Sequence, residues 1–96
     1  MPKKKINYNY VFVMYDVNEK RVNKVFKICK KYLKHHQNSV FRGNITPANL
    51  IMLQNEIKKI IDKEQDFITI IKMINQNTFD EDTIGTNRKE TESLFI

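Results

Sequence analysis

Two runs of strand-forming residues bracket the middle of this chain. Residues 8–15, Tyr-Asn-Tyr-Val-Phe-Val-Met-Tyr, and residues 66–74, Asp-Phe-Ile-Thr-Ile-Ile-Lys-Met-Ile, are rich in aromatic and β-branched types. Neither carries enough polar residues to alternate, which is the pattern of a strand covered on both faces. Such strands need neighbours within one sheet and helices to cover them. The segments between the two runs therefore decide the architecture.

Directly after the first run, Asp16-Val17-Asn18 supplies turn chemistry, and Asn18 is a good N-cap for a helix predicted to run to about His36. Val22, Val25, Phe26, Cys29, Leu33 and His36 fall on one side of it at 100° per residue. Lys20, Lys24, Lys27, Lys31 and Lys34, spaced 4, 3, 4 and 3 residues apart, line the opposite side. His35 and His36 are adjacent, so their side chains diverge and form neither a metal pair nor a triad.

Residues 37–46 hold a short β-favouring core, Ser39-Val40-Phe41, followed by Gly43-Asn44 as turn material. Thr46-Pro47 is a helix start, and Leu50, Leu53, Ile57, Ile60 and Ile61 mark an amphipathic helix ending near Lys63. Residues 75–87 read as a polar connection, and Leu94-Phe95-Ile96 is apolar enough to need a partner.

The order strand, helix, one or two short strands, helix, strand predicts a single α+β domain. Its two long strands would lie side by side at the centre of a split β-α-β sheet with both helices on one face, the ferredoxin-like βαββαβ sandwich. Residues 1–7 would form a basic extension, and residues 75–96 a linker and a further strand. That fold hosts many functions, so side chains have to supply the rest.

Charge narrows the partner. The chain has 17 Lys and Arg against 11 Asp and Glu, a net charge of +6, but residues 1–79 carry +9 and residues 80–96 carry −3. A polyanion suits the body of the molecule, and the tail is not the binding surface. The lysine stripe would extend about 21 Å along a helix, enough to follow several phosphates of a nucleic acid. No apolar run approaches the roughly 20 residues of a bilayer span, so no membrane partner is expected. The lone Cys29 fits a reducing compartment, and a cytoplasmic protein is expected.

Several short motifs are more specific. Val13-Met14-Tyr15-Asp16, a first strand ending in Tyr-Asp and running into a basic helix, resembles the start of the CRISPR-associated protein 2 family. Gln37-Asn38-Ser39-Val40-Phe41-Arg42-Gly43 is similar to that family's Gln-x-Ser-Val-Phe-x-Gly segment. Ile45-Thr46 enters the second helix as the family's does, and Ile84-Gly85 resembles the motif before its last strand. The resemblance runs from Tyr8 to Ile96. One position departs from it, because Arg42 stands where the family often has glutamate.

This resemblance implies a homodimer in which each last strand joins the edge of the partner's sheet. It also implies a metal-dependent endoribonuclease or endonuclease of antiviral defence, acting in spacer acquisition with the CRISPR integrase subunit. The aspartate matching Asp16 lies near the dimer axis, so two copies would share a magnesium ion (Mg), which accepts as few as one or two carboxylates. Arg21 would neutralise the scissile phosphate, the Ser39 hydroxyl would reach a phosphate, and the Phe41 ring would stack on a base. Lys20, Lys24, Lys27, Lys31, Lys34 and Arg42 would contact RNA or DNA. The alternative is a non-catalytic, nucleic-acid-binding scaffold of the integrase complex. A small-metabolite regulatory domain fits less well, since no Gly-rich or polar ligand loop is present.

Overall fold

The computed structural model describes residues 6–85. Strand β1 (Tyr10–Asp16) is followed by helix α1 (Glu19–Tyr32), strands β2 (Lys34–Gln37) and β3 (Val40–Asn44), helix α2 (Pro47–Ile60) and strand β4 (Phe67–Met73). A single 3-10 turn, Gln76–Thr78, comes after β4. The sheet order is β2-β3-β1-β4, and every neighbouring pair is antiparallel. This is the predicted α+β sandwich, with both helices on one face. The added C-terminal strand falls outside the described residues.

Both helices begin where the sequence places their caps. The Asn18 side chain accepts the Lys20 N–H at 3.0 Å. Thr46 Oγ1 accepts the Asn49 N–H at 3.1 Å, with Pro47 in the first turn where no hydrogen bond is lost.

Helix α1 stops four residues short of its predicted end. Leu33 is extended, with φ −133° and ψ 170°, and residues 34–37 join the sheet as β2. Helical periodicity continues through this stretch, but pairing with β3 and packing of side chains outweigh it. Leu33 is buried, and the ring centroid of His35 lies 4.9 Å from that of Phe26 and 4.8 Å from that of Phe41. Lys34 thus belongs to β2, where its Cα partner is Arg42, and His35 and His36 are strand residues.

Alternation along β1 sorts its side chains between the two faces of the sheet. Val11, Val13 and Tyr15 turn toward the helices and are buried with Val25, Cys29, Leu33, Phe41, Leu50, Leu53 and Ile57. Ile68 and Ile70 of β4, the Cα partners of Tyr15 and Val13, complete that core. Tyr10, Phe12, Met14 and Asp16 belong to the opposite face, which carries no helix among the described residues.

That face corrects the reading of the second apolar run. β4 lies beside β1, as expected, but at the sheet's edge and covered on one side only. Phe67 is 69% exposed and Ile71 46%. An edge strand with large apolar residues on its uncovered side is a surface suited to association.

Candidate functional site

The uncovered sheet face has two unlike halves. At one end, the ring of Phe79 packs on Tyr10 and Phe12, with centroids 5.3 and 5.4 Å apart, and buries Tyr10. Glu81 reaches Arg42 in an ion pair beside it. The segment after β4 therefore folds back over this end. At the other end Met14, Val40, Phe67, Thr69 and Ile71 form a bare, largely apolar surface, and Asp16 closes its margin.

Asp16 is the last residue of β1, its Cα partner is Phe67 and its side chain is exposed. Among the described residues none forms a hydrogen bond or ion pair with its carboxylate. A solvated carboxylate at the edge of an apolar plateau is able to bind a hard cation through one oxygen, the cation keeping most of its water. The described residues hold no cluster of three metal-ligating side chains. Asp16 therefore stands outside any three-ligand metal cage among the described residues.

Ser39 sits in the β2–β3 turn, where its carbonyl accepts the Tyr15 N–H at 3.1 Å. This hydrogen bond places Ser39 next to the end of β1. The preceding residue, Asn38, has φ +40°, a left-handed turn conformation that asparagine tolerates.

Arg21 is paired with an acid of its own chain. Its Nε donates to Asp66 Oδ2 at 2.6 Å and its Nη2 to Asp66 Oδ1 at 3.1 Å, a bidentate pair that occupies the guanidinium. Asp66 also accepts the Asn18 N–H at 2.9 Å and the Asp62 N–H at 2.8 Å, and its side chain is fully buried. The Arg21 hydrogen bond, joined by those two backbone donors, holds the Asp66 carboxyl well below the usual carboxylate range despite its burial.

Phe41 is also corrected. It is 0% exposed, stacked with Tyr15 at 6.3 Å and edge-on to Phe26 at 5.2 Å, so its ring fills the core and no base reaches it. Arg42 and Lys34 lie on the uncovered sheet side rather than on the helical stripe, and Arg42 is engaged by Glu81. Within the stripe, Lys31 pairs with Glu56 of α2, which also accepts a hydrogen bond from the Tyr32 hydroxyl. Lys20, Lys24 and Lys27 remain as exposed ammonium groups along α1, with Lys30 beside them.

Sequence reasoning missed Asp66, Glu56 and Glu81. Asp66 reads as the first residue of a strand, although an acid after Asp62-Lys63-Glu64-Gln65 is also a turn-closing group. Glu56 is the sole acidic residue of α2, and an acid opposite a lysine-rich helix is a cue to a bridge between helices.

Together these features define a class: a ferredoxin-like module with a basic helical layer and, across the sheet, an uncovered face edged by one carboxylate. The family model for CRISPR associated protein Cas2 matches residues 9–81. The CRISPR-associated endoribonuclease Cas2 of Thermotoga maritima is 41% identical over 86 residues, covering 90% of this chain and 99% of that one. The protein of the same name from Pyrococcus furiosus is 36% identical over 86 residues, or 90% of this chain and 99% of its own. Among solved structures, a crystal structure of cas2 superposes with a TM-score of 0.77 at 38% identity, covering 84% of this chain and 91% of that one. Streptococcus pyogenes Cas2 gives 0.60 at 31%, covering 85% and 93%. The chain belongs to the Cas2 family.

Proposed function

We propose that this chain is a cytoplasmic, homodimeric, Mg-dependent endoribonuclease of CRISPR adaptation, working in spacer acquisition alongside the CRISPR integrase. The observation that carries the reading is Asp16, an exposed carboxylate without a described intrachain partner at the margin of a bare apolar sheet face. Two such faces packed together bury Phe67 and Ile71 and bring one aspartate from each copy toward the same axis. The relatives named as Cas2 endoribonucleases support the reaction class.

In this arrangement the two Asp16 carboxylates would hold Mg. When bound, it supplies Lewis acidity that activates water and offsets charge on the phosphoryl oxygens. The chain's own residues do the remaining work. Lys20, Lys24 and Lys27 bind the phosphate backbone, and the Ser39 hydroxyl, beside the end of β1, donates to a phosphate oxygen.

One observation favours the scaffold reading. The exposed lysines project from the helix layer, whereas Asp16 lies on the opposite face of the sheet. A duplex that follows the lysines is then bound without being cut, and the dimer bridges integrase copies.

Sedimentation and cleavage assays test the proposal together. A dimer whose Mg-dependent RNA cleavage is lost in Asp16→Ala supports the nuclease. Unchanged cleavage in that variant removes Asp16 from the reaction. Spacer acquisition that survives Asp16→Ala but not charge reversal of Lys20, Lys24 and Lys27 favours the scaffold.

A further inference from the structure

We propose that Asp66 is the positioning residue of the Asp16 site, an inference that rests on the reading of Asp16 given above. One buried carboxylate gathers donors from three separate segments: the β1–α1 turn through Asn18, the first turns of α1 through Arg21, and the turn after α2 through Asp62. Asp66 is also the residue before Phe67, whose Cα is paired with that of Asp16 across the sheet.

Asp16 is therefore held from two directions by a single group. Two residues along its own chain, the Asn18 backbone is tied to Asp66. On the neighbouring strand, the residue beside it follows Asp66 directly. Among the described residues no side chain bonds to the Asp16 carboxylate, so its position depends on where the backbone ends β1. The Asp66 cluster sets that point.

A stability role alone does not account for this choice of residues. Breaking a buried ion pair is costly, but a well-packed apolar pair in its place is often neutral or better, so such a pair is weak evidence for stability. The forked guanidinium and the two backbone N–H groups instead impose direction, which apolar contacts do not. Metal-binding carboxylates need this kind of support, and loss of an outer partner typically costs 10–100-fold in metal affinity or activity.

The test uses full-length Asp66→Asn, Asp16→Asn and the wild type. It measures kcat and KM for RNA cleavage in Mg, and the broadening of the Asp16 and Val17 amide signals by Mn ions. Asp66→Asn is expected to lower kcat about 10-fold or more with KM within about twofold, since the lysines still bind RNA, and to weaken the broadening. Asp16→Asn is expected to abolish both. If Asp16→Asn abolishes both while Asp66→Asn matches the wild type, positioning by Asp66 is refuted and the Asp16 site stands. If Asp16→Asn changes neither, the site itself is refuted and the inference with it.

Should Asp66→Asn fail to fold, Asn18→Pro and Asn18→Ala decide the question. Both lose the cap, but only proline also removes the N–H given to Asp66, and the φ of −53° at Asn18 suits proline. A lower kcat and weaker broadening in Asn18→Pro than in Asn18→Ala support positioning, and equal values overturn it.

Discussion

Asp66 shows how a single side chain links stability to pH. Its folded-state pKa is depressed, chiefly by the Arg21 hydrogen bond, so between that value and the ordinary 3.8 the unfolded chain binds the extra proton. The stabilisation is complete above the ordinary carboxylate range and is lost as pH falls through the depressed value. Acid titrations of the wild type and Asp66→Asn should therefore differ most near neutrality and converge below about pH 4. A difference that persists unchanged into strong acid contradicts the assignment.

Burial has the opposite effect on two core groups. It pushes the Cys29 thiol and the Tyr15 hydroxyl each up to about 12, so both stay protonated in the folded protein while the unfolded chain ionises earlier. Stability from these groups is present below about pH 9 and erodes as pH rises toward about 12. Cys29 is expected to resist alkylation in the native state and to react once the chain is denatured, as a thiol-labelling time course would record. Phe41→Ala should cost about 3–5 kcal/mol in denaturant melts, in keeping with a ring that fills the core. The local pattern Ser-Val-Phe does not distinguish that ring from one offered to a base. The difference is made by Tyr15, Phe26 and His35, which come from three other elements.

At the scale of elements, the starts of the helices are legible in the sequence and their ends less so. Asn18 and Thr46 cap where their chemistry predicts, because a cap joins near neighbours along the chain. Thr46→Ala should cost about 1 kcal/mol, measured by thermal or urea unfolding. The end of α1 is hidden because residues 33–36 continue the helical spacing while their partners in β3 lie further along the chain. The exposure of β4 is hidden for a similar reason: an apolar run does not reveal whether its second cover comes from the same molecule.

The basic stripe is legible for Lys20, Lys24 and Lys27. Spacing alone overextends it to Lys34, which is in β2, and to Lys31, which Glu56 holds. Replacing Lys20, Lys24 and Lys27 by alanine should reduce the salt dependence of duplex binding, the log–log slope falling by about 0.9 for each phosphate no longer neutralised. The same substitution at Lys31 should act mainly on the packing of α1 against α2. A slope unchanged by the triple variant would remove the helix from the interface.

For the whole molecule, the fold and the candidate site follow from an imbalance between the two sides of the sheet. Two helices bury one side. The other is half covered by Phe79 and the Arg42–Glu81 pair, and is bare around Phe67, Ile71 and Asp16. The apolar content of this surface is plain in the sequence but its exposure is not, since exposure depends on sheet order. Introducing aspartate at Phe67 or Ile71 should convert the proposed dimer to a monomer in sedimentation while leaving the folded core intact. Dimers that persist in both variants would place the interface elsewhere.

The proposed pairing of two Asp16 carboxylates about one ion is tested most directly with mixed dimers. Wild-type and Asp16→Asn protomers are exchanged in varied ratios at fixed total protein, and Mg-dependent RNA cleavage is followed. A shared site predicts that activity falls with the square of the wild-type fraction, since a dimer with one substituted protomer has lost half its ligands. A linear decline, with each protomer cutting independently, contradicts it.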